Sequence, residues 1–104
     1  MTDATTAVLA EIAAERAAQD ALFGEQNLPD GTDGYRYRSM ADAARLACDA
    51  AFDNGRGTFR HVFLEEVYEA MAESDPVKLR AELVQAVAVG VKWIEAIDRR
   101  SANG

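Results

Sequence analysis

An all-α domain of four helices is what this chain predicts, on three observations. Alanine is abundant and 49% of residues are hydrophobic, a composition that favours helices because alanine gives up no side-chain entropy in one. Runs of β-branched residues are scarce outside residues 84–91, and no apolar/polar alternation between turn signals offers a strand. Stop and start signals at Gly24, Asn54-Gly55, Gly57-Thr58 and Ser74-Asp75-Pro76 cut the chain into pieces of helical length. With 104 residues one domain, 1–104, is expected, long enough for a modest core and short enough that self-association adds burial.

The first helix starts from a Thr5 or Thr6 cap, repeats Val8, Leu9, Ile12, Ala13 and Ala17 at helical spacing, and stops near Phe23 with Gly24 behind it. Arg16, Gln19 and Asp20 share another side of it, as a solvated i, i+4 network or as substrate-facing groups. Residues 24–38 show neither helical nor strand period and read as a long loop ending in Tyr35-Arg36-Tyr37-Arg38. Tyrosine faces can stack on a base and arginine can pair with phosphate, so this stretch is expected to cover a substrate or, alternatively, to be a flexible linker.

Ser39 with Asp42 looks like a capping-box start, after which Met40, Ala43, Ala44, Leu46, Ala47, Ala50 and Phe52 carry a second helix to Asn54-Gly55. Cys48, the single cysteine, lies among alanines and reads as a small buried residue. Gly57-Thr58 opens the third helix, with Arg60 and His61 one turn ahead of a run of glutamates. His61, the only histidine, is structural or reaches a phosphate. Asp75 caps the fourth helix and Pro76 takes its first position, where its missing N–H is not needed. That helix is expected to run to about Arg100, with Ser101 to Gly104 frayed.

Carboxylates are the informative side chains. Glu65, Glu66, Glu69 and Glu73 fall within an arc of roughly 100° on a 3.6-residue helix, opposite Phe63, Leu64, Val67, Ala70 and Met71. On the fourth helix Glu82 points along Ala86, Val89 and Trp93, flanked by Leu79, Leu83 and Gly90, so it sits inside an apolar stripe. An ionised carboxylate there needs a cation, because burying it unpaired costs several kcal/mol. Pairing with Lys78, Lys92 or Arg60 is one solution. The other is a closed hairpin in which Glu65, Glu66, Glu69 and Glu82 converge with the amide of Gln85 on a divalent ion. Oxygen-only ligands select Mg²⁺ or Mn²⁺ over Zn²⁺.

Glu65-Glu66-x-x-Glu69, then twelve residues, then Glu82-x-x-Gln85 resembles the Glu-Glu-x-x-Glu … Glu-x-x-Asp signature of MazG-like, all-α nucleoside triphosphate pyrophosphohydrolases. Gln85 departs from it, offering a carbonyl oxygen without the negative charge. The hairpin resemblance covers roughly residues 59–98, and Glu15-Arg16, Gln19-Asp20, Phe23 to Asn27 and Asp30 to Thr32 are similar to small actinobacterial and actinophage members. The resemblance implies a MazG-like helical bundle, assembled as a homodimer or homotetramer, that hydrolyses a (d)NTP or related nucleotide to the monophosphate and pyrophosphate with Mg²⁺, for which Mn²⁺ can substitute. The metal ligands would be Glu65, Glu66, Glu69, Glu82 and Gln85, and the catalytic groups Glu65, Glu66 and Lys92. Substrate contacts would come from Arg16, Gln19, Asp20, Tyr35, Arg36, Arg38, Arg60, His61 and Trp93. Base preference, and the choice between a canonical nucleotide, a modified one and an alarmone, stay open. A non-catalytic helical module with an acidic face and a degraded metal site is the alternative.

The net charge of −7 argues against a nucleic-acid groove, since phosphate backbones demand clustered lysine and arginine. A polyanionic small substrate remains accessible through metal ions. One cysteine and no basic stretch ahead of the N-terminal apolar residues lead to the expectation of a cytoplasmic protein, and the most apolar run, Leu83 to Val91, is too short for a membrane span. Leu83, Val87, Gly90, Ile94 and Ile97 form a seam widened by Val84, Ala88 and Val91, more apolar surface than one partner helix covers.

Overall fold

The computed structural model describes residues 3–103, and these form four α-helices with no strand among them: α1 Asp3–Phe23, α2 Gly34–Asp53, α3 Phe59–Met71 and α4 Pro76–Asn103. By the density of its contacts the chain divides into two compact units. One comprises the residues up to Asp30 with those from Val91 onward; the other is Gly31–Gly90. No helix among the described residues is long and apolar enough to cross a membrane.

In the Gly31–Gly90 unit, α2 and α3 run antiparallel. The N–H of Asp33 donates to the carbonyl of Met71 (2.9 Å) and that of Gly34 to the Ser74 hydroxyl (3.3 Å), so the start of α2 lies against the end of α3. The approach is close: a Cβ on Gly34 would stand 3.0 Å from the Ala72 carbonyl oxygen. Ala41 and Ala70 are wholly buried, and their small side chains let the two helices pack tightly. Thr58 caps α3 by accepting the N–H of His61, and Asp75 caps α4 by accepting that of Lys78, as their positions in the sequence indicate. The Phe63 ring of α3 lies 3.5 Å from where a Cβ on Gly90 of α4 would be. Gly24 and Gly55 end α1 and α2 with φ near +70°, a conformation glycine reaches without steric cost.

Three boundaries differ from those the sequence suggests. The loop is residues 24–33, not 24–38, because Asp33 accepts the N–H groups of Tyr35 and Arg36 and starts α2 five residues before Ser39. Ser39 and Asp42 therefore lie inside the helix, and Tyr35 to Arg38 form its first turns. The inward positions of α2 are Tyr37, Ala41, Ala44, Cys48 and Ala51, whereas Met40, Leu46 and Phe52 are exposed. Second, α1 is already helical at Asp3, and the Thr5 hydroxyl, instead of capping it, bonds both carboxylate oxygens of Glu95 at 3.1 Å. Third, α4 continues through Asn103, past the expected fraying point at Ser101; Gly104 lies outside the described residues.

In the unit built from α1 and the end of α4, Val8 and Val91 are buried and Ile12 half-buried. The single-cysteine reading holds in the other unit, where Cys48 is buried.

Candidate functional site

The glutamates of α3 do not form an ordinary solvated face: Glu65, Glu66 and Glu69 are all half-buried, while Glu73, expected on the same face, lies beyond the end of α3 and accepts the Asp75 N–H. Helix α4 supplies the fourth carboxylate of the signature from its inward stripe. Leu79 and Ala86 are buried there, Val89 and Gly90 half-buried, and Glu82 half-buried between them. The stripe thus turns inward as its spacing requires, apart from Leu83, which is exposed.

Electrostatics ties these groups together. Partial burial pushes the Glu66 carboxyl above the usual carboxylate range, and the charges of Glu65, Glu82 and Glu69, in falling order of effect, push it further. Three like charges from two helices thus act on one side chain. Burial also lifts the Cys48 thiol to about 11, helped by the hydrogen bond it donates to the Glu65 carboxylate. This contact between α2 and α3 is not visible in the sequence, since seventeen positions separate the two residues and no local pattern couples them.

Arg38 reaches across from α2. Its guanidinium lies 3.3 Å from Glu69 Oε2 and 3.8 Å from Asp42 Oδ1, and Asp42 is also 3.6 Å from Arg45. Arg38 is therefore a partner of a carboxylate, and not part of a covering loop as its sequence neighbourhood suggests. Arg36 sits 5.4 Å over the Tyr37 ring, while Tyr35 is fully exposed. Gln85 is exposed, unlike Glu82 one turn before it. His61 is half-buried with Nδ1 2.7 Å from the Thr58 hydroxyl, and it shares a shallow depression with Ala50, Ala51, Asn54 and Arg56. Arg60 is exposed.

The remaining candidates belong to the other unit. Arg16 bonds Gln19 at 3.0 Å and Asp20 at 2.8 Å, all three exposed, which is the solvated i, i+4 network. Lys92 is exposed and Trp93 half-buried.

The donor chemistry fits a hard divalent cation: four carboxylates, three of them mutually repelling at Glu66, with no nitrogen or sulfur donor needed. As the side chains are oriented, no three His, Cys, Asp or Glu groups among the described residues are drawn together tightly enough to hold an ion. Compared with protein-family models, with curated proteins and with solved structures, the chain matches none.

Proposed function

We propose that this protein is a divalent-metal-dependent nucleotide pyrophosphohydrolase of the MazG-like kind, cleaving a (d)NTP or related nucleotide to the monophosphate and pyrophosphate. The observation that carries the reading is Glu66, half-buried, with its carboxyl pushed up by Glu65, Glu82 and Glu69. Crowded like charges destabilise a fold unless a proton or a cation relieves them, and perturbed carboxylates of this sort gather at functional sites. Glu65, Glu66, Glu69 and Glu82 would hold Mg²⁺ or Mn²⁺, with the Gln85 carbonyl as a neutral fifth ligand. When bound, the ion supplies charge neutralisation on triphosphate oxygens and a more acidic water. One of the two glutamates, Glu65 or Glu66, would orient that water as general base. Arg60 and Lys78 are the cations of the same unit proposed to balance charge on the leaving group.

The assembly proposed is a homodimer or homotetramer. Leu83, Val84 and Val87 on α4, and Leu22, Phe23 and Leu28 in and after α1, stay exposed within the single chain. Leu83, Val84 and Val87 fall within about one turn of α4, and an exposed apolar strip of that kind marks a partner surface.

Pyrophosphate release from a panel of canonical and modified nucleotides tests the activity, comparing the native chain with Glu66→Gln and Glu82→Gln. Release by the native chain and its loss in both variants is the expected result; no release from any nucleotide with Mg²⁺ or Mn²⁺ present overturns the proposal. One observation favours the second reading, a non-catalytic acidic module: Gln85, which stands where the resembling signature has Asp, is exposed. A thermal melt separates the two. Ligation of the native state raises the midpoint by mass action, and an unchanged midpoint at millimolar Mg²⁺ or Mn²⁺ favours the module.

A further inference from the structure

We infer that Asn54 is a self-modifying position: the backbone nitrogen of Gly55 attacks the Asn54 side-chain amide when the last turn of α2 opens, and the folded cap holds that reaction back. Asparagine followed by glycine is especially open to this attack, because no side chain shields the glycine nitrogen. In the reaction Gly55 N gives its proton to solvent and bonds to Asn54 Cγ. The Cγ–Nδ2 bond breaks, and the amide nitrogen takes up a proton and leaves as ammonia. Water then opens the cyclic imide. Opening at Cγ leaves aspartate; opening at the backbone carbonyl leaves isoaspartate, with the chain rerouted through the side chain.

Both reacting groups are tied down in the fold. Asn54 Nδ2 donates to the Ala50 carbonyl at 2.7 Å, and the Gly55 N–H donates to the Phe52 carbonyl at 3.1 Å. The neighbouring N–H groups are held too, that of Asn54 on Ala50 at 3.1 Å and that of Arg56 on Ala51 at 2.7 Å. Attack requires the Gly55 nitrogen to lose its hydrogen and turn towards Cγ, so the first two bonds must open together. Asn54 and Gly55 are nevertheless exposed, at the end of α2, and helix ends open more readily than helix centres. Conversion removes the bond from Nδ2 to Ala50 and sets a carboxylate at the negative end of the α2 dipole, in the depression that Arg56 and His61 share.

The chain carries its own reference for the test, since the same dipeptide recurs as Asn103-Gly104, with Asn103 exposed in the last turn of α4. The full chain is aged at mildly alkaline pH in buffer and in guanidinium chloride, then proteolysed. Mass spectrometry follows each peptide for the gain that exchanging NH3 for H2O brings, and chromatography separates aspartyl from isoaspartyl forms. The ratio of Asn54 to Asn103 conversion is expected to rise about tenfold or more from buffer to denaturant, the size set by two hydrogen bonds of ordinary strength. Ala50→Gly, at an exposed position in the last turn of α2, should speed conversion at Asn54 several-fold while circular dichroism shows the chain still folded. No conversion at Asn54 in denaturant overturns the site. A ratio that denaturant leaves unchanged, or a rate that Ala50→Gly leaves unchanged, overturns the control by the cap.

Discussion

Two groups of charged side chains, both spaced for one face of a helix, end in opposite states. On α1, Arg16, Gln19 and Asp20 meet at 2.8–3.0 Å with the ion-pair side chains 58% and 54% exposed. Opposite charges satisfy each other locally, and water does the rest. On α3, Glu65, Glu66 and Glu69 also span about one turn but carry one sign, and they are half-buried. Their compensation cannot be local: it comes from α2, as Arg38 on Glu69 and the Cys48 thiol on Glu65, while at Glu66 the described residues supply like charges instead. Spacing marks a face, whereas burial and sign decide whether that face needs a partner.

The comparison is sharpest in catalysis. Glu66→Gln and Glu82→Gln should each lower the rate of pyrophosphate release by about 10²-fold or more, as removal of a charge-stabilising group does, while Asp20→Asn should lower it by less than about tenfold. A steady-state assay on the three variants decides, and equal losses would erase the distinction between the clusters.

Stability probes the inward setting next. Ala70 has no exposed surface, so Ala70→Leu should force α2 from α3 and cost about 1–3 kcal/mol, read as a fall in the urea midpoint. The same change at exposed Ala18 on α1 should be nearly silent. Removing the α3 cap with Thr58→Ala should cost about 1 kcal/mol by the same measurement.

A smaller effect follows from the raised Glu66 carboxyl. A group whose pKa is higher folded than unfolded stabilises the protein when protonated, fully below its unfolded value near 4.5, and loses that contribution as pH rises through the folded value. Metal-free Glu66→Gln should therefore melt above the native chain at neutral pH, by about 1–3 °C after solvent screening. The difference should shrink to nothing as pH falls below the ordinary carboxylate range. A difference that persists at low pH would remove charge as its cause. Smallest of all, Arg16→Ala should change the urea midpoint by the equivalent of no more than about 0.5 kcal/mol, and high salt should abolish the change.

Much of the fold was legible in local chemistry. Thr58, Asp75-Pro76, Gly24 and Asn54-Gly55 act over three or four residues, so their helix ends fall where they stand. The stretch from Tyr35 to Arg38 misled because Tyr-Arg-Tyr-Arg shows no apolar period; the helix there rests on the Asp33 cap and on half-buried Tyr37. The inward course of Glu82 was readable from its stripe, but Arg38 on Glu69 was not, since an arginine thirty-one residues away carries no mark of its partner.

The sequence by itself determined that the chain is helical, where most of its helices begin and end, and that Glu82 shares an apolar face, because caps and the 3.6-residue period are short-range physics. Only the tertiary structure decided which carboxylates crowd one another and which cation stands beside them. Those outcomes depend on the antiparallel approach of α2 to α3 and on the packing of Phe63 over Gly90. Distances across helices are set by packing, and no local pattern contains them.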